Sequence, residues 1–138
     1  MTLSRFRIAA VAAAVLAVVG LSAASAHHAV DAEFDLTKTR TLKGVLTQVD
    51  WVNPHAYFHF LIRDRNGKYT EWLFQSPSPA LQKRAGLPGK DEYRVGSTYS
   101  IVTNPARSGA NVGTFGVVTF PDGRKLNIGW ADPTFRPQ

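Results

Sequence analysis

VDWVNPHAYFHF, residues 49–60, is the stretch of this sequence that decides the fold. Proline donates no backbone hydrogen bond and disfavours a helical conformation in the residue before it. Asn53-Pro54 is therefore predicted to end one extended segment and begin another. The stretch also contains two of the four histidines and one of the three tryptophans of the chain. It thus combines a structural break with side chains suited to binding.

Two β-strands are predicted on either side of this break. Residues 41–51 are rich in β-branched and aliphatic side chains, and Gly44 among them suggests a bulge or sharp bend. Residues 55–64 alternate between two faces, as in a half-buried strand. The face predicted to enter the core carries Ala56, Phe58, Phe60 and Ile62. The opposite face is amphipathic, is suited to lining a groove, and carries His55, Tyr57, His59 and Leu61.

Turn and helix signals organise the rest of the chain. Asn66-Gly67 predicts a hairpin with a type I′ turn, leading into a strand at residues 69–74. Ser78 is predicted to cap a short helix that begins at Pro79 and ends before Gly86. Further strands are predicted at residues 97–103, 113–120 and 125–128. The tail, residues 131–138, is predicted to be unstructured.

This order predicts an all-β fold with one short helix, as a small OB-like barrel of five to six strands. An OB-type barrel has its helix between the third and fourth strands, which is where the helix falls here. A different small β-barrel or a β-sandwich is the alternative. Since no linker divides the chain, residues 27–138 are predicted to form a single domain.

Residues 1–26 are predicted to be a cleaved signal peptide. Arg5 and Arg7 precede an apolar run of about 14 residues, shorter than the ~20 that span a bilayer, and Ala24-Ser25-Ala26 is a small-residue cleavage site. An uncleaved N-terminal anchor is the alternative. The expected location is therefore periplasmic or secreted. After cleavage no transmembrane segment is expected.

Composition limits the classes of function. Loss of residues 1–26 leaves 112 residues and lowers the net charge from +6 to +4. This moderate positive charge is not a nucleic-acid signature by itself, so nucleic acid is not an expected partner. The absence of cysteine excludes disulfides, thiolate metal sites and cysteine nucleophiles. The oligomeric state is left open by the sequence.

Several short motifs together resemble a known family. They are His27-His28 after the signal, Phe34-Asp35, Leu42-Lys43-Gly44, Trp51-Val52-Asn53-Pro54-His55, Trp72, and Phe120-Pro121-Asp122-Gly123-Arg124-Lys125-Leu126. This combination resembles the exported bacterial proteins grouped as domain of unknown function 6152, over nearly the whole mature chain. The resemblance implies an exported single-domain β-protein. It implies no activity, cofactor or site residue.

Metal binding is the sharpest functional hypothesis from the residues. Predicted cleavage would give His27 a free amine beside its imidazole, and this pair can chelate a copper ion. His28 and His55 are the other predicted ligands, since imidazole suits copper, zinc and nickel. His55 and His59 lie ~13 Å apart along a straight strand, too far to share one ion easily. A frayed, non-binding terminus is the alternative.

Binding of a small ligand, or of an oligosaccharide or other polymer by an OB-like module without metal, is the second hypothesis. OB-type barrels bind such ligands on one face with aromatic stacking. The predicted ligand-binding residues are Trp51, Asn53, Tyr57, His59, Glu71 and Trp72. Catalysis is not expected: Ser76 and Ser78 lie outside a nucleophile-elbow motif. Asp50 and Glu71 are candidates for a carboxylate pair, although nothing in the sequence brings them together.

Overall fold

The computed structural model describes residues 30–129. The predicted signal peptide, His27, His28 and the tail at 131–138 lie outside these residues. Two units are distinguished along the chain, residues 1–33 and residues 34–138. In the first, residues 30–33 are helical. The second unit contains the sheet and is described to residue 129.

The second unit is mostly β-sheet, as the sequence predicts. One sheet contains seven strands in the spatial order β5-β3-β2-β1-β4-β6-β7. The strands are β1 (Arg40–Asp50), β2 (Ala56–Arg63), β3 (Tyr69–Ser76), β4 (Thr98–Thr103), β5 (Val112–Thr114), β6 (Val117–Thr119) and β7 (Lys125–Asn127). Two short helices follow β3: α1 (Pro79–Arg84) and a 3₁₀ turn (Lys90–Glu92).

The strand count exceeds the prediction because the predicted fifth strand divides in two. Residues 112–114 pair in parallel with β3, whereas residues 117–119 pair antiparallel with β4. Phe115 and Gly116 separate the halves, and the Phe115 amide donates to the backbone oxygen of Gln75 (2.7 Å). Within residues 30–129 the sheet ends at β5 and β7 without pairing between them. A closed barrel is therefore not confirmed.

The predicted facing of β2 is confirmed. Ala56, Phe58 and Phe60 are fully buried and Ile62 nearly so, while the intervening residues are partly buried or exposed. The buried rings form a continuous aromatic core in which Phe58 stacks on Phe115, with centroids 3.9 Å apart. The core therefore lies on one face of β1–β3. The other face of these strands, which we call the polar face, carries His59, Asp50 and Glu71 together with the apolar side chains of Val45, Leu61 and Leu73.

Gly44 does not form the bulge that the sequence suggests. The register changes between Leu46, opposite Phe60, and Gln48, opposite His59, so the extra residue is Thr47. Gly44 instead permits a close strand approach, because a Cβ there would lie 2.6 Å from the backbone oxygen of Leu61. The bulge matters for the polar face, since it sets Gln48 and Asp50 opposite His59 and Tyr57.

The hairpin between β2 and β3 is correctly placed, but its predicted turn type is wrong. A type I′ turn needs positive φ at both central residues, and in residues 30–129 only glycines have positive φ. Gly67, with φ of 82°, supplies the single left-handed residue. The Asp64 carboxylate accepts hydrogen bonds from the amides of Asn66 (2.8 Å) and Lys68 (2.9 Å), which stabilises the longer loop.

Helix α1 follows its predicted signals. The Ser78 hydroxyl accepts a hydrogen bond from the Leu81 amide (3.2 Å), and Pro79 is the first helical residue. Gly86, with φ of 69°, lies just beyond the C-terminal cap at Ala85. These signals fix the helix at the end of β3, close to the end of β1.

Candidate functional site

Two carboxylates from neighbouring strands converge on one histidine of the polar face. His59, on β2, has Nε2 2.9 Å from Oδ2 of Asp50 on β1. Its Nδ1 lies 3.4 Å from Oε1 of Glu71 on β3. The carboxylate pair considered from sequence therefore does converge, with the imidazole between its members. We call Asp50, His59 and Glu71 the His59 cluster.

Two further hydrogen bonds, from the exposed side chains of Gln48 and Thr47, support Asp50 and His59. The Gln48 amide donates to Oδ1 of Asp50 (2.7 Å), and the Thr47 hydroxyl donates to the backbone oxygen of His59 (3.1 Å). The bond from Gln48, and next the bond from His59, hold the pKa of Asp50 below its usual range. Asp50 is thus kept as a carboxylate that fixes the orientation of the ring.

Accessibility differs across the cluster. The side chain of His59 is 22% exposed and that of Asp50 38%, whereas that of Glu71 is 70% exposed. Glu71 is therefore the most accessible member of the cluster, and the imidazole is the least accessible.

A pocket of about 430 Å³ lies where the end of β1 meets α1. Its walls are Trp51, Pro79, Ala80, Lys83, Leu87 and Gly89. Trp51 is partly buried and its ring is held by Phe58 and Tyr93, at centroid distances of 6.3 and 6.0 Å. Pockets that bind small molecules have volumes of about 300–1,000 Å³ and mostly apolar walls. We call this the Trp51 pocket.

The predicted ligand-binding residues separate into different places. Trp51 lines the pocket, while His59 and Glu71 belong to the His59 cluster. Tyr57 is partly buried on the same strand face as His59, and Asn53 is exposed in the β1–β2 connection. Trp72 lies in the core, 9% exposed, where it stacks on Phe74 with centroids 5.9 Å apart. The structure therefore brings together only part of the set.

The residues predicted to bind metal are only partly described. His27 and His28 lie outside residues 30–129. His55 is partly buried just before β2, and its ring packs edge-on against Tyr57 at 6.5 Å. Over the described part of the chain, no three His, Cys, Asp or Glu side chains are grouped to hold a metal ion.

Sequence reasoning did not identify the far wall of the Trp51 pocket. The sequence predicts Lys83 within the short helix and leaves Leu87 just beyond it, and nothing in the sequence indicates that either residue lines a pocket. The cap formed by Ser78 and Pro79 places that helix along the chain, but no sequence pattern shows that it packs beside Trp51. The cross-strand register of β1–β3 would have found the His59 cluster, and that register depends on the position of the bulge.

Across residues 30–129, no helix has the length and apolar character needed to cross a membrane.

Comparison with known proteins gives a family and no activity. Searches among curated proteins and among solved structures gave no match. A family model, described as a family of unknown function (DUF6152), matches residues 14–115. This range covers most of the chain, including the His59 cluster and the Trp51 pocket. The chain therefore belongs to this family of unknown function.

Proposed function

We propose that this protein is an exported binding protein that holds a small amphipathic anion in the Trp51 pocket. The observation that carries the proposal is the combination of an aromatic wall and one cationic group in a pocket of ligand size. Export rests on the signal-like residues 1–26, which predict a periplasmic or secreted protein.

The chemistry of the walls defines the ligand class. Trp51, Leu87 and Pro79 offer apolar surface to a ring or an alkyl chain. Lys83, on the last turn of α1, is the single charged residue among the lining residues, so the wall carries no carboxylate. A molecule with an apolar body and a carboxylate or similar anionic group fits this arrangement. A neutral sugar would make no use of the lysine charge.

We also propose that the sheet forms an OB-like barrel. The pairing of residues 112–119 supports this proposal, because the first half of this short segment pairs with β3 and the second half pairs with β4. The strand order β3-β2-β1-β4 between those contacts fits that topology, and α1 lies between the third and fourth strands. The Trp51 pocket would then lie at one end of the barrel.

Comparing the affinity for a carboxylate with the affinity for its uncharged amide tests the proposed ligand class. We expect phenylacetate to bind two- to fivefold more tightly than phenylacetamide, since an exposed ion pair contributes up to about 1 kcal/mol. Lys83→Gln should remove this difference. Trp51→Ala should weaken both ligands about tenfold or more, because a central tryptophan often dominates a binding site. Isothermal calorimetry gives the dissociation constants.

The matched control is Lys125→Gln. Lys125 is an exposed lysine on β7 and is not among the pocket-lining residues. Lys125→Gln should leave the affinities for phenylacetate and phenylacetamide unchanged. If neither compound binds the wild type, or if Trp51→Ala binds phenylacetate as tightly as the wild type does, the pocket proposal is wrong.

Copper binding at the N-terminus is a second proposal. It is supported by the sequence, since all four histidines fall within residues 27–59 and predicted cleavage gives His27 a free amine. We expect the processed protein to bind Cu(II) far more tightly than a chain that retains Ala26. Calorimetric titration with copper provides the measurement, and equal affinities of the two chain lengths would exclude the amine.

A further inference from the structure

Two large apolar side chains that are exposed in residues 30–129 lie close together on the polar face of the sheet. Leu61 on β2 is 39% exposed, and Tyr69 on β3 is 58% exposed. Leu61 lies opposite Glu71, and Arg63 lies opposite Tyr69, so Leu61 and Tyr69 are diagonal neighbours on one face. On its other side Leu61 pairs with Val45 of β1. Exposed apolar groups with a polar rim are typical of protein or membrane contact sites.

Four exposed cations surround these apolar side chains. They are Lys43, Arg63, Arg65 and Lys68. Lys43 precedes Gly44, which pairs with Ile62, so the register of β1 and β2 sets Lys43 beside Arg63. The guanidinium carbon of Arg63 lies 5.9 Å from the centre of the Tyr69 ring. We call the four cations and the two exposed apolar residues the hairpin patch.

The positive charge of the hairpin patch is only partly offset by nearby carboxylates. Among the ion pairs of residues 30–129, none involves any of its four cations. Asp64 and Glu71 border the patch, so four cations and two carboxylates leave a local charge of +2. The Asp64 carboxylate accepts hydrogen bonds from the amides of Asn66 and Lys68, which directs it toward the loop backbone. Strand β4, beyond β1, adds no charged residue.

We propose that the hairpin patch docks this protein on an anionic phospholipid bilayer. Lysine and arginine side chains are attracted to an anionic membrane surface. An amphipathic tyrosine ring suits the boundary between headgroups and acyl chains, so Tyr69 would enter it beside Leu61. A soluble polyanion would use the four cations but would leave both apolar side chains in water. Predicted export brings the chain to a bilayer surface, and docking does not depend on the ligand of the Trp51 pocket.

Sedimentation with phospholipid vesicles tests the docking. The sample is the processed protein, because the apolar run within residues 1–26 would itself enter a bilayer. In about 0.05 M NaCl, we expect vesicles of phosphatidylglycerol and phosphatidylcholine in equal parts to bind it at least about tenfold more tightly than pure phosphatidylcholine vesicles do. Raising the salt to about 0.5 M should remove most of this difference, because ions screen exposed charges.

Variants of the hairpin patch separate its charge from its apolar contribution. The double variant Arg65→Gln/Lys68→Gln should lower the affinity for anionic vesicles about 10- to 30-fold, and Glu71→Gln should raise it about two- to fivefold. Tyr69→Thr should lower the vesicle affinity about threefold or more. It should leave the affinity for dextran sulfate, a soluble polyanion, unchanged.

The matched control is Arg84→Gln/Lys125→Gln, which removes the same charge from exposed positions on α1 and β7. Its affinity for anionic vesicles should fall by less than about threefold. The proposal is overturned if phosphatidylglycerol does not strengthen binding or if the control loses as much affinity as Arg65→Gln/Lys68→Gln. It is also overturned if Tyr69→Thr binds vesicles as the wild type does, and tight binding of dextran sulfate would then assign the patch to a soluble polyanion.

Discussion

Replacing Phe60 with alanine is expected to lower the free energy of unfolding by about 3–5 kcal/mol. Phe60 is fully buried at the centre of β2, with ring centroids of Phe74 at 5.5 Å and Tyr99 at 5.9 Å. Its removal leaves a cavity bordered by rigid rings that cannot easily close it. Since small domains are stable by only ~5–15 kcal/mol, the variant should be close to unfolding.

Chemical denaturation followed by circular dichroism measures this effect. Tyr57→Ala is the control, because Tyr57 lies on the same strand but on the partly exposed face. It should cost clearly less than Phe60→Ala. A Phe60→Ala variant that unfolds like the wild type, beside a strongly destabilised Tyr57→Ala variant, would mean that the strand faces the opposite way.

Replacing Gly44 with alanine is expected to destabilise the protein by about 1–3 kcal/mol, the usual cost of overpacking. The added Cβ would meet Ile62 Cδ1 and would lie 2.6 Å from the backbone oxygen of Leu61. Ile62 can change rotamer, but the backbone oxygen can move only if β1 and β2 separate locally. The cost therefore arises from the sheet itself.

Gly89 provides the matched control for this substitution. Its φ is −76°, and a Cβ placed on it meets no atom within 4 Å. Gly89→Ala should therefore leave the midpoint of thermal unfolding unchanged or slightly raised, because alanine restricts the unfolded chain. Equal melting temperatures for Gly44→Ala and the wild type would contradict the close approach of β1 and β2.

Features set by local chemistry could be predicted from the sequence. The facing of β2 follows from its two-residue period, and α1 follows from Ser78, Pro79 and Gly86. Most features that the sequence does not predict depend on partners distant along the chain, although the type of the hairpin turn depends on Asp64 within the same loop. The sequence suggests a bulge at Gly44 because the residue type alone does not indicate that a neighbouring strand packs closely against it. The sequence predicts one continuous strand at residues 113–120, because the division at Phe115 arises only from the pairing of its two halves with different strands.

The same distinction between local signals and distant partners applies to the candidate sites. Trp51 was identified as a binding residue, but its pocket needs α1, some thirty residues later. His59 and Glu71 were both in the predicted ligand-binding set, whereas their pairing depends on the registers of β1–β2 and β2–β3. Those registers follow from one extra residue at Thr47 and from the five-residue hairpin loop. Neither the amino-acid composition nor the spacing of apolar residues reveals the extra residue at Thr47 or the length of the hairpin loop.

The path of residues 112–119 bears on the fate of incomplete chains. Its first half covers the backbone edge of Leu73–Gln75, and its second half covers that of Ser100–Val102. A polypeptide that stops before Val112 leaves both edges open, and open strand edges recruit other chains into aggregates. Eight residues near the end of the sheet therefore protect two strands at once, and premature termination or proteolysis ahead of them would promote self-association.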